Sequence, residues 1–171
     1  MGSIAAQTYT KRYTAWMLTL LVLMNALNLA DRQGFAASIQ AVKIDLHFSD
    51  SELGIIQGLG FAIFYTLMGL PLARLSERFS RTRIIATCMA LFGVMVALCG
   101  TAKGFMSLLL FRIGVGVGDA GFVTPVASLL GDHYPQSKRA SVNSIIWLGG
   151  PIGVVAGSAG AAWLTQHYSW R

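Results

Sequence analysis

The stretch Phe111-Arg112-Ile113-Gly114-Val115-Gly116-Val117-Gly118-Asp119-Ala120-Gly121 sets the class of this chain. It places an Arg and an Asp inside a run that is otherwise apolar from Gly104 to Gly131. Ionisable groups at membrane depth are costly unless they face a bundle interior or a watery cavity, which makes them functional-site candidates by default. Arg112 and Asp119 are seven positions apart, so at 100° per residue they nearly superpose in projection, with Gly116 beside them. Gly114, Gly118, Gly121 and Pro125 fall on the far side. Small residues let helices approach closely in lipid. One face of this segment is therefore expected to pack while the other presents charge.

A second pair of charges closes the first apolar segment. Thr14 to Ala30 is uncharged and Asp31-Arg32 follow directly. On a helix Asn25, Asn28, Asp31 and Arg32 lie within about 120° of one face, a polar stripe that would line water or substrate. The plainer alternative makes Asp31 and Arg32 mere markers of the helix end, with Arg32 snorkelling to the interface. Two acids and two bases sum to zero charge, which suggests mutual pairing in a polar path through lipid.

The whole chain supports that setting. Of 171 residues 54% are hydrophobic and 12% charged, against about a quarter charged in a soluble domain. Further apolar runs cover residues 53–73, 84–102 and 140–166, and a spanning helix needs roughly 20 such residues. The expected fold is all-α, a polytopic membrane protein of five transmembrane helices at about 13–39, 52–74, 83–101, 104–133 and 138–166. The first run is longer than the apolar region of a signal peptide and is expected to stay as a helix.

Orientation follows from the basic residues, which favour the cytoplasmic side. With a cytoplasmic N-terminus, Lys11, Arg12, Arg74, Arg78, Arg81, Arg83, Lys138 and Arg139 lie inside, against Lys43, Lys103 and Arg171 outside. The net charge of +6 is then accounted for by insertion into a cell (inner) membrane with anionic headgroups. No soluble face collects these residues, so nucleic acid is not an expected partner.

Other residues are read as structural. Cys88 and Cys99 share one helix, about 16 Å apart, too far for a disulfide. His47, His133 and His167 are scattered, so no metal site, cofactor or catalytic constellation is expected and the chain does not read as an enzyme. Ser49 or Ser51 is placed to cap the second helix ahead of Glu52, and Pro135 to stop the fourth. Tyr13, Trp16, Trp163, Tyr168 and Trp170 suit interfacial belts. Gly149, Gly153, Gly157 and Ala161 put a small residue every four positions of the fifth helix, which reads as a packing stripe; the alternative is a kink at Pro151 that serves as a hinge.

The loop Ala73-Arg-Leu-Ser-Glu-Arg-Phe-Ser-Arg-Thr-Arg83 resembles the major facilitator superfamily pattern G-x-L-x-D-R-x-G-R-[KR] at Leu75, Arg78 and Arg81. Ala73, Glu77, Ser80 and Thr82 depart from it. A second family pattern, R-x-x-x-G-x-G-x-A, is matched in full by Arg112, Gly116, Gly118 and Ala120. The family's G-P-x-x-G-G is matched only at Gly150 and Pro151, which leaves the direction of exchange open. Within the superfamily the chain most resembles Spinster-like lipid transporters, through Asn28-Leu-Ala-Asp-Arg-Gln33, residues 113–121 and His167-Tyr-Ser-Trp-Arg171. Such sequences usually carry Glu where Asp119 stands.

The resemblance implies an N-terminal portion, five of twelve helices, with the first and fourth facing a central cavity between two halves. It implies a proton-coupled transporter of a lipid-like, amphipathic or small-molecule anionic solute. Asp31 and Asp119 would be proton carriers, Arg32 and Arg112 counter-charges, and Glu77, Arg78 and Arg81 a cytoplasmic gate. A small organic or sugar acid is the alternative substrate. A different class of reading makes the chain a truncated product, or an interaction module that pairs with a homologous or missing C-terminal half.

Overall fold

In hydrocarbon every backbone polar group needs a partner within the protein, which long helices supply. The computed structural model describes residues 10–171, leaving aside the side chains of Thr124 and of Lys11, one of the inward charges counted above. Five helices are long and apolar enough to cross a membrane. They are α1 (Lys11–Leu46), α2 (Asp50–Arg78), α3 (Arg81–Cys99), α4 (Phe105–His133) and α5 (Gln136–His167). The chain is thus a multi-pass, all-helical membrane protein.

Several boundaries move from their expected places. α1 continues to Leu46 through a stretch expected to be a loop, because Val42 is fully buried against Phe48 and Leu53. His47, in the left-handed region at φ 55°, then turns the chain. Ser49 starts α2 with a reciprocal cap, its hydroxyl accepting from the Glu52 N–H and its own N–H donating to Glu52 at 2.8 Å. Arg74, Glu77 and Arg78, expected in a loop, form the last turn of α2, since long charged side chains are good helix formers. Ser80 caps α3.

α5 is broken, and the break lies at Leu148 rather than at Pro151. Proline lacks an N–H and its ring clashes with the carbonyl four residues earlier, here Trp147, so the distortion falls ahead of the ring. α2 carries its own irregularity, a π-helical turn over Ile55–Gly60.

Glycine decides which helices touch. A Cβ on Gly149, Gly153 or Gly157 would collide with the carbonyl oxygens of Val22, Ala26 and Ala30 respectively. α5 therefore lies backbone to backbone along three turns of α1. On α4, a Cβ on Gly118 would sit 2.8 Å from the Cys88 carbonyl oxygen, and Gly114 and Gly121 face Met95 and Cys88. The far-side glycines of α4 thus bury themselves on α3, leaving the charged face turned toward α1 and α2. Cys88 and Cys99 are buried free thiols.

Two apolar clusters fill the bundle, one at each end. The first holds Leu21, Ile85, Phe122, Val126 and Ile146, near the end that carries Arg12 and Arg81. The second holds Val42, Phe48, Ile56, Phe92 and Leu108. At this second end the chain terminus is clasped to α1: Trp170 Nε1 donates to Asp45 at 3.0 Å and Arg171 at 2.8 Å. Trp163 and Tyr168 are exposed there, as Tyr13 and Trp16 are at the opposite end. Trp170 departs from the expected belt by turning inward against the second cluster.

Candidate functional site

Between the two clusters lies a charged waist. α1 supplies Asn25, Asn28, Asp31 and Arg32 on its way from one cluster to the other, and α4 supplies Arg112 and Asp119 on its return. The four charges pair crosswise. Arg112 Nη1 donates to Asp31 Oδ2 at 2.9 Å, and Arg32 pairs with Asp119. Neither Arg is paired with the acid of its own helix; both ion pairs join α1 to α4.

The two pairs differ in setting. Arg112 is 3% exposed and its acid Asp31 12%, whereas the Arg32 side chain keeps 37% of its surface open. Asp119 is buried. One pair is thus enclosed, and the other presents a guanidinium at the bundle surface. Asp31 and Arg112 also border a pocket of about 400 Å³ together with Gly34, Ser38 and Thr165. Ser38 and Thr165 hydroxyls meet across it at 3.1 Å.

Aromatic rings complete the waist, and sequence reading did not single them out. The Arg32 guanidinium carbon lies 4.4 Å from the Phe61 ring centroid and 5.3 Å from that of Tyr65. That of Arg112 lies 4.2 Å from Phe35. A cation over a ring face gains electrostatic attraction, more so where water is excluded. The available signal was the four-residue spacing of Phe61 and Tyr65 on one helical face. The π-helical turn that aims them has no comparable signature.

The asparagines fare differently from the charges. Asn25 is buried and donates through Nδ2 to the Ile146 carbonyl at 3.0 Å, a group just ahead of the α5 break. It braces α5 instead of lining open space. Asn28 is buried with its Oδ1 unpartnered among the described residues. Such an orphan acceptor costs free energy.

At the Arg81 end, Arg81 pairs with Asp132 at the close of α4, an acid the sequence reading missed. Glu77 and Arg78 are exposed and line a groove with Leu67, Leu70, Pro71 and Arg74. Arg139 secures the α4 terminus by donating to the Gly131 and Tyr134 carbonyls at 2.6 and 2.9 Å. Among the described residues no group of three or more His, Cys, Asp or Glu could hold a metal ion.

A helical membrane bundle with an ionic waist is a common architecture of solute carriers. The sequence match is more specific. A model of the Major Facilitator Superfamily matches residues 21–171, and the chain belongs to that family. Its Spinster-like character is also borne out. The chain superposes on a crystal structure of a bacterial homologue of the human lysosomal transporter Spinster, in an inward-facing and occupied conformation. That likeness has a TM-score of 0.80 and 32% identity, over 95% of this chain and 39% of that one. An MFS-type efflux pump of Mycolicibacterium smegmatis is 31% identical over 92% of this chain and 37% of its own length. A probable sphingolipid transporter, spinster homolog 3 of Arabidopsis thaliana, is 26% identical over 91% of this chain and 33% of its own length. The chain therefore spans between a third and two fifths of these relatives.

Proposed function

We propose that this chain forms part of a secondary active transporter that moves an amphipathic, lipid-like or organic anionic solute coupled to protons. The crossed ion pairs at the waist carry this reading. A guanidinium near 4 Å from a carboxylate at an effective dielectric near 20 gains about 4 kcal/mol, which favours each crossed pair while both partners stay. An anionic solute competing for Arg32 would leave Asp119 without its counter-charge, and a proton would then replace it. By linkage, protonating Asp119 frees Arg32 for the solute to the same degree. Arg32 is the member of the waist open enough for a solute to reach, and the Phe61 and Tyr65 rings beside it suit the apolar part of an amphipathic anion.

In this reading Asp31 and Asp119 are the proton carriers and Arg32 and Arg112 the counter-charges. Glu77, Arg78 and Arg81 belong to a gate on the cytoplasmic side, where the N-terminus also lies, with the Arg81–Asp132 pair breaking as the gate opens. The bundle sits in the cell (inner) membrane against a second half. The name of one relative, a probable sphingolipid transporter, supports a lipid-like solute, and that of another, a hexuronate transporter, supports a sugar acid.

The test is uptake into liposomes by the complete protein under an imposed pH gradient, with a lysolipid and a sugar acid offered in parallel. Asp31→Asn and Asp119→Asn are each expected to abolish the response to the gradient while the solute still exchanges. Coupling that survives both substitutions overturns the assignment. Faster uptake of the sugar acid than of the lysolipid moves the substrate class to small organic acids.

A further inference from the structure

Arg112, Gly116 and Asp119 follow one another along a single face of α4, and the absence of a side chain at the middle position opens a slot. Phe61 fills it. A Cβ on Gly116 would lie 3.0 Å from the Phe61 carbonyl oxygen and 3.4 and 3.6 Å from its ring carbons Cδ2 and Cε2. The ring is 8% exposed. Its centroid is 4.4 Å from the Arg32 guanidinium carbon and 5.9 Å from that of Arg112, so it stands between the two ion pairs and offers a face to both cations. The π-helical turn over Ile55–Gly60 ends directly before it. Such a turn inserts one residue and rotates everything after it by about 100°. Gly60 makes this possible by packing on Leu109 and the Ile55 carbonyl, where a Cβ would lie 2.7 and 3.0 Å from its neighbours.

We infer that Phe61, aimed by this turn, is a positioning residue that partitions the waist. It keeps Arg112 from reaching along α4 to Asp119, and so obliges each Arg to cross to, or stay with, an acid of the opposite helix. Residues three or four apart on a helix face are neighbours; at seven apart Arg112 and Asp119 are about 10.5 Å apart along the axis, so Arg112 can compete for Asp119 only by extending across position 116, where the ring sits. With the ring in place each Arg bonds a single acid, the one across from it. Without it, Arg112 and Arg32 share the acids. The partition is a property of the folded bundle and does not depend on what the protein moves.

The experiment measures thermal midpoints of the complete protein in detergent for Asp31→Glu, Asp119→Glu and their combination. These lengthen each acid while keeping its charge. The three are compared with Phe61 intact, with Phe61→Tyr and with Phe61→Leu. Sites in separate units give shifts that add, and sites in one network do not. With Phe61, and with Phe61→Tyr, the combined shift is expected to equal the sum of the single shifts. With Phe61→Leu, which keeps apolar bulk without a ring face, it is expected to depart from the sum. If Phe61→Leu yields no folded protein, Gly116→Ala displaces the ring by filling its slot and is expected to break additivity in the same way. Additivity in every background, or non-additivity with Phe61 intact, overturns the inference.

Discussion

Helix α1 meets α5 and α4 by opposite means. Toward α5 it offers the carbonyls of Val22, Ala26 and Ala30 to three glycines, and the contact is mostly backbone against backbone. Toward α4 it offers Asp31 and Arg32, and the contact is two ion pairs, one enclosed and one open at Arg32, flanked by rings. The first interface has one geometry that fits, because carbonyls and Cα atoms leave no slack. The second is held by interactions that protonation or a competing anion can exchange. One helix thus joins a backbone-packed partner on one side to an ion-paired one on the other.

The largest effects should separate these two faces most clearly. Gly153→Leu places a branched chain where even a Cβ collides with the Ala26 carbonyl. It is expected to destabilise by more than about 4 kcal/mol, the exceptional end of single-site effects, and to abolish the monodisperse folded peak in detergent. Gly160, on the same helix, has no atom within 4 Å of its added Cβ. Gly160→Ala should be neutral or stabilising by up to about 1 kcal/mol, as for glycine removed from a helix interior. If both glycines tolerate substitution equally, the fixed interface is misassigned.

On the ionic face, Arg112→Met alone should cost about 3 kcal/mol, because it strands Asp31 in a nearly closed site. Adding Asp31→Leu should recover most of that loss, since a buried pair replaced by apolar residues is often close to neutral. Proton coupling is expected to stay lost in the double variant. Thermal midpoints and gradient-driven uptake check the two halves of this statement separately. Recovery of stability without recovery of coupling is what an exchangeable contact predicts, and no pair of α1–α5 substitutions should imitate it.

The fixed face was far more legible in the sequence than the exchangeable one. Gly149, Gly153 and Gly157 recur at the spacing of one helical face, so their packing role could be read without knowing the partner. The charges of Asp31, Arg32, Arg112 and Asp119 were equally visible, but which acid takes which base was not. The crossing depends on Phe61, and Phe61 depends on a π-helical turn whose residues, Ile55–Gly60, look like any apolar helix. The partner of Asn25 was hidden for a related reason. Asn25 shares the polar stripe of α1, yet it bonds a carbonyl of the broken α5, and the sequence marks Pro151 but not the break at Leu148. Asp132 escaped notice and Trp170 was expected in an interfacial belt, because each gains its role from a contact distant in sequence.

A smaller difference should appear between the two pairs themselves. Arg32 keeps over a third of its side-chain surface open, so a substitution there gives up less buried packing than one at Arg112, although each leaves a mostly buried acid behind. Arg32→Gln, which keeps an amide donor beside Asp119, is expected to cost roughly 1–3 kcal/mol of stability, less than Arg112→Gln, while weakening solute binding more than Arg112→Gln does per unit of stability lost. Equal thermal costs at the two arginines would remove the distinction between an enclosed pair and an accessible one.

The finest test lies at the polar contacts within the otherwise apolar α1–α5 seam. Ser38 and Thr165 share a hydrogen bond at 3.1 Å beside the pocket that Asp31 and Arg112 border. A single intramolecular hydrogen bond nets about 1 kcal/mol, and removing one partner leaves the other's desolvation unrepaid, whereas removing both can be nearly neutral. Ser38→Ala is therefore expected to lower the thermal midpoint slightly, by about 0.5–1 kcal/mol in free energy, and Ser38→Ala with Thr165→Val to return toward the starting value. Neither should alter gradient-driven uptake, because the glycine contacts hold the seam whether or not the hydroxyls meet. A change in coupling from this pair would mean that the seam moves with the ionic waist, and α5 would then belong to the adjustable side of the bundle.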